Sequence, residues 1–150
     1  MLNNKSILAI VPARAGSKGI PGKNIKILGD KPLIAWTIYA AQKSQYIDKI
    51  IISTDSEQIA KIGRGLNVEI PFLRPSKYAK DNSSSSGVIL HTLDWFQKNK
   101  KIFDYFILLQ PTSPFRKVEH IDKTLEIITS NKKIDSIVSI QEVYQHPYWM

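Results

Sequence analysis

The stretch VPARAGSKGIPGKN, residues 11–24, decides how this chain folds and where its chemistry lies. It follows a short apolar run, residues 7–11, which reads as a buried strand. It carries Gly16, Gly19 and Gly22, two prolines, and the cations Arg14, Lys18 and Lys23. Glycines let backbone N–H groups turn inward and approach a ligand. Inward N–H groups form an anion-binding concavity. Arginine adds a planar fork and lysine a point charge where a polyphosphate would sit. Glycines and cations directly after a buried strand favour a nucleotide-triphosphate cradle over a merely flexible loop. The spacing matches neither common glycine loop. Five residues separate Gly16 from Gly22, and Asn24 follows Lys23, so the Walker form is absent. Gly-x-x-Gly-x-x-Gly also departs from the dinucleotide form.

Working outward, strand and helix patterns alternate. Residues 33–45 carry Leu33, Ile34, Thr37, Ile38 and Ala41 at helical spacing after Pro32, with Trp36 and Tyr39 read as packing residues. Residues 47–53 form a second strand, apolar on both faces. Thr54-Asp55 then opens a helix that Gly63 and Gly65 stop. Asp55 is read as a helix cap, with a ligand contact as the alternative. Residues 68–73 make a short third strand, followed by Arg74-Pro75 and a polar loop to Ser86. Its hydroxyls suit either plain capping or a ligand site at the next helix. That helix bears Ile89, Leu93 and Phe96, and its His91 reads as a satisfied structural histidine. Residues 104–110 are a fourth strand, apolar on both faces and therefore expected to be central. It ends in QPTSPFR, residues 110–116, where open α/β sheets bind ligands. A helix from Val118 and a fifth strand over residues 136–140 follow. The pattern predicts an α/β fold, a Rossmann-like three-layer α/β/α sandwich with a mostly parallel sheet.

The 150 residues fit one domain, 43% apolar and large enough for a core. With no cysteine, disulfides, thiolate chemistry and cysteine-held metals are excluded. No run approaches the ~20 apolar residues of a membrane span, and residues 7–11 are too short for a signal peptide. A cytoplasmic protein is expected. The net charge is +8, but the lysines are spread along the chain and at helix ends. That pattern favours an anion pocket over nucleic acid.

Four segments together resemble the acylneuraminate cytidylyltransferases, the CMP–sialic acid synthetases and their legionaminic and pseudaminic acid relatives. They are ARAGSKGIPGKN, STD at residues 53–55, LRP with KDNSSSS over residues 73–86, and LLQPTSPFR over residues 108–116. The fold so implied is of the nucleotide-diphospho-sugar transferase type. The implied activity joins CTP to an acidic nine-carbon 2-keto sugar, giving CMP-sugar and pyrophosphate with Mg2+. By this resemblance Arg14, Gly16, Ser17, Lys23 and Asn24 hold the triphosphate, and Arg14 and Lys23 act in catalysis. Arg74, Ser83 and Ser85 read cytosine and its sugar. Gln110, Thr112 and Ser113 line the acceptor site. The alternatives are a 3-deoxy-octulosonate-type or other sugar nucleotidylyltransferase, and a non-catalytic nucleotide-binding domain.

The family's chains continue well beyond this length. Their later part supplies an acceptor-binding arginine, an acidic pair for magnesium and the dimerisation element. The 150 residues are therefore expected to be the nucleotide-binding part, with metal ligands lying beyond Met150. Nucleotide binding with weak or absent turnover is the expected behaviour.

Overall fold

The strand Ile7–Pro12 (β1) has no polar side chain, and residues 7–11 are fully buried. Such a segment is stable only where both faces are covered and its backbone groups are paired on both edges. Both conditions are met. In the computed structural model, which describes residues 2–17, 19–80, 83–140 and 142, β1 lies between two parallel neighbours. After a two-residue hairpin, Ile27–Leu28 (β2) with Lys31–Pro32 (β3), comes the helix Leu33–Gln42 (α1). The strand Lys49–Ser53 (β4) then pairs with β1, placing Ile51 beside Ile10. The helices Glu57–Gly65 (α2) and Ser85–Lys98 (α3) precede the strand Tyr105–Leu108 (β5) on the other edge of β1. The helix Val118–Ser130 (α4) follows.

Alternation along β1 assigns the layers. Ile7, Ala9 and Val11 pack with Ile34 and Ile38 of α1, Ile59 of α2, and Ile121 and Leu125 of α4. Leu8 and Ile10 face the other way, onto Ile51 and Phe96 of α3. The expected three-layer α/β/α sandwich is therefore present. Gly63 of α2 is buried where a side chain would meet Ile52 and Ile70, so this glycine lets the helix lie close on the sheet.

The sequence expectations need four corrections. β1 is the central strand; β5 lies on its flank, with Phe106 43% exposed. Residues 68–73 give only isolated parallel bridges, Ile51 with Glu69 and Thr54 with Leu73. Pro71 sits between them and has no N–H to extend the ladder. Residues 136–140 form no strand, and Val138 and Ile140 are exposed. Gly63 and Gly65 end α2 from within rather than beyond it.

The amino end of β1 is tied by two aspartates. Asp48 accepts from the Ile7 N–H at 2.8 Å. Asp104 accepts from the backbone N–H of Ser6 at 2.9 Å, from Lys5 at 2.9 Å and from the Ser6 hydroxyl at 2.9 Å. The Ser6 backbone N–H, then Lys5 and the Ser6 hydroxyl, hold the Asp104 carboxyl down at about 2. An unfolded aspartate titrates at about 3.9. Its contribution to stability is therefore complete above about pH 4 and is lost as the pH falls toward 2. Thermal melts between pH 7 and 2 should show Asp104→Asn less stable at neutral pH and converging on the wild type in acid. Parallel curves would mean that the carboxylate is not tied in this way.

Candidate functional site

Parallel pairing sends the carboxyl ends of β1, β4 and β5 to one edge of the sheet. The loop after β1 is fixed there at successive points. Ala13 N–H donates to the Ser53 carbonyl at 3.0 Å. Ala15 N–H donates to Asp55 Oδ1 at 2.8 Å. Asn24 is buried, and its Nδ2 donates to the Arg14 carbonyl at 3.0 Å. The loop leaves through Gly22, whose φ of 63° opens a short 3-10 turn, Lys23–Ile25. That left-handed conformation favours glycine, because in other residues the Cβ would crowd the following carbonyl oxygen.

Asp55 is therefore not the cap of α2. Ser56 takes that place, its side chain accepting from Ile59 N–H at 3.3 Å. Thr54 Oγ1 accepts from Ser56 N–H at 3.1 Å. Asp55 is left to hold the β1 loop.

Arg74 is only 5% exposed. Its Nε donates to Ser53 Oγ at 3.1 Å, its Nη2 to the Ser53 carbonyl, and its Nη1 to the Tyr78 carbonyl at 3.3 Å. Burial pushes its pKa down, Asp55 opposes that shift, and Arg14 adds to it. A guanidinium loses its proton far above neutrality in any case, so Arg74 is a buried cation. Three acceptors fix the plane of its fork, and arginine's five N–H donors leave some for a ligand. The first turn of α3 lies nearby, capped by Ser84, whose hydroxyl accepts from Gly87 N–H at 3.1 Å.

Two clefts share Pro12 and Arg14. The first, about 200 Å³, is walled by Arg74, Tyr78, Lys80, Ser83, Ser85 and Val88. The second, about 350 Å³, is walled by Ser17, Lys23, Asn24, Gln110 and Thr112. Of the three groups of residues expected from sequence, Arg74, Ser83 and Ser85 line the first cleft, residues of the other two groups share the second, and Arg14 stands at the junction. Gly16 and Ser113 line neither cleft. Ser113 instead shapes the turn, donating to the Gln110 carbonyl at 3.3 Å and accepting from Arg116 N–H at 3.2 Å. Lys18, Asp81 and Asn82 lie outside the described residues.

Sequence reasoning missed Tyr78 and Val88. Neither belongs to a polar or charged pattern. Their one signal is an apolar surface set into a hydroxyl-rich segment. His91 differs from its expectation too: its Nδ1 has no hydrogen-bond partner. Its ring lies edge-on to Phe72 at 4.6 Å and beside Tyr78 at 5.1 Å. Burial first, then Lys77 and Arg74, push its pKa down.

No carboxylate or histidine lines either cleft among the described residues. Nor do they contain a cluster of three or more groups able to hold a metal. Asp55 is near, but one of its oxygens is taken by Ala15. Protein sites for magnesium use one or two carboxylates beside phosphate oxygens. Among the described residues, no carboxylate stands on the wall of either cleft to hold magnesium in this way.

A family model described as Cytidylyltransferase matches residues 8–147. The chain belongs to the cytidylyltransferase family. Among curated relatives, it is 45% identical to the CMP-N,N'-diacetyllegionaminic acid synthase of Legionella pneumophila, over 95% of this chain and 61% of that one. It is 42% identical to an N-acylneuraminate cytidylyltransferase of Escherichia coli, over 89% of this chain and 31% of that one. The pseudaminic acid cytidylyltransferase of Campylobacter jejuni is 32% identical over 83% of this chain and 54% of its own. The chain thus spans between 31% and 61% of these relatives' length. Among solved structures, CMP:2-keto-3-deoxy-manno-octonic acid synthetase complexed with CTP aligns with a TM-score of 0.71 at 19% identity. That alignment covers 84% of this chain and 48% of that one, and it is a likeness of fold. No described helix of this cytidylyltransferase-family chain is long and apolar enough to cross a membrane.

Proposed function

We propose that this chain is the nucleotide-binding part of a cytidylyltransferase that joins CTP to an acidic nine-carbon 2-keto sugar. The observation that carries the reading is Arg14 at the junction of two clefts, one walled by buried Arg74 and hydroxyls, the other by Lys23, Gln110 and Thr112. The names of the curated relatives supply the sugar class.

In this reading the nucleoside lies in the first cleft, with Arg74, Ser83 and Ser85 on its polar edge. The triphosphate passes Arg14 into the second cleft, toward Ser17, Lys23 and Asn24. The sugar acid meets Gln110 and Thr112. Its anomeric hydroxyl attacks the α-phosphorus, forming the new P–O bond as the bond to the β-phosphate bridging oxygen breaks. Pyrophosphate leaves, and the hydroxyl proton passes to solvent. Such transfer depends on positioning and on stabilising charge rather than on a nucleophilic side chain. Arg14 and Lys23 face the charge that builds on the α-phosphate and the leaving group. The reaction would be a step of carbohydrate biosynthesis in the cytoplasm.

Calorimetric titration of the chain with CTP, UTP and ATP, each with magnesium, tests this. CTP should bind at least about tenfold more tightly than the others, the scale of one or two good hydrogen bonds. Arg14→Ala should weaken all three, because it removes charge from the path of the phosphates. Equal binding of the three nucleotides by the wild type would remove the cytosine assignment. No binding at all would overturn the reading for this chain.

A further inference from the structure

Tyr78 stands out on the wall of the first cleft as a large ring among serines and cations. It ends a short 3-10 turn, Ser76–Tyr78, directly after Arg74-Pro75. Its ring is held from several directions. A Cβ at Gly87, in the first turn of α3, would come within 3.3 Å of Tyr78 Cδ1 and 3.6 Å of Cε1. The absence of that carbon lets the ring lie against the helix. The His91 ring is 5.1 Å away, and Lys77 Nζ sits 4.8 Å from the ring centroid. The backbone carbonyl of Tyr78 meanwhile accepts from Arg74. One residue therefore both anchors the buried arginine and presents a fixed ring to the same cleft.

We propose that Tyr78, seated on Gly87, is the size gate of the nucleoside cleft, admitting a single-ring base and excluding a purine. The proposal rests on the nucleoside reading of that cleft. Hydrogen bonds from Arg74 and serines can recognise polar groups, but they cannot by themselves reject a larger base that offers similar groups. Rejection needs an element that clashes with the wrong ligand. A cleft of about 200 Å³ with one ring on its wall has such an element. The two tasks of Tyr78 are also separable, because its backbone holds Arg74 whatever the side chain.

The test is calorimetric titration of CTP and ATP, each with magnesium, into the wild-type chain and its Tyr78→Ala and Tyr78→Phe variants. Tyr78→Ala should narrow the CTP-over-ATP preference by about tenfold or more, within the range usual for a pocket's size discrimination. Most of the change should come from tighter ATP binding. Tyr78→Phe keeps the ring and should keep the preference. A selective wild type with an unchanged ratio in Tyr78→Ala would overturn the gate while leaving the cytidine site intact. A wild type that fails to bind CTP would instead overturn the cytidine site, and the gate with it. Should Tyr78→Ala not fold, Tyr78→Trp reads the same wall from the opposite side. Lost CTP affinity supports the gate, and unaltered affinity overturns it.

Discussion

Arg74→Ala should reduce CTP affinity by about 30-fold or more. Truncating one partner of a buried, hydrogen-bonded charge contact costs about 2–5 kcal/mol, and each 1.4 kcal/mol is tenfold. The effect is large because the guanidinium does two things. It offers donors to the cleft, and it satisfies Ser53 and the Tyr78 carbonyl beneath it. Removing it strips the ligand contact and takes the donor from Ser53 Oγ and the Tyr78 carbonyl, while the Ser53 carbonyl keeps the Ala13 N–H. Arg74→Lys should restore only part of the affinity, since an ammonium cannot reproduce the planar fork. Titration of both variants with CTP, beside melting curves, separates lost binding from lost folding. A folded Arg74→Ala with wild-type affinity would remove Arg74 from the site.

The second large effect is on stability. Ile10 is fully buried at the middle of β1, between Ile51 on β4 and Leu108 on β5, and faces α3. Ile10→Ala should cost about 2–5 kcal/mol, the usual range for emptying such a site. Against a typical total of about 5–15 kcal/mol this is a large share. It should lower the melting temperature by roughly 4–20 °C in a chain of this size. Calorimetry checks it. A loss under about 1 kcal/mol would show that the side chain is not enclosed as described.

The parts of the fold that the sequence made legible are those where one local pattern has one physical meaning. ILAIVP can only be covered on both faces, and it is. The loop after it, with Arg14 and Lys23, does lie at the carboxyl edge of the sheet, where such strands present ligands. The failures have a shared cause: pairing is a property of two segments, whereas periodicity is a property of one. SIVSI, residues 136–140, alternates well enough for a strand, yet nothing among the described residues pairs with it. VEIPFL, residues 68–73, is interrupted by its proline. Asp55 shows the same limit at the site. Three consecutive residues, Thr54, Asp55 and Ser56, could each cap α2, and spacing cannot choose among them. The choice is made from outside the helix, by the Ala15 N–H that claims Asp55. Tyr78 was illegible for a related reason, since its significance lies in a glycine nine residues later on another element.

The position of β1 in the chain has a consequence for how the protein comes into being. The strand that sits in the middle is the one synthesised first. Its two flanking partners are anchored to it by aspartates 41 and 98 residues further along. At about 5–20 residues per second, a ribosome needs roughly 5–20 s to make the second of these after the first strand has emerged. Through that interval the most apolar segment of the protein has at least one open edge, which invites pairing with other chains. Ring closure over such distances also slows the search for the native arrangement. The nascent polypeptide should therefore depend on holding factors until about residue 108 is free to dock, and translation speed between β1 and residue 108 should govern its soluble yield.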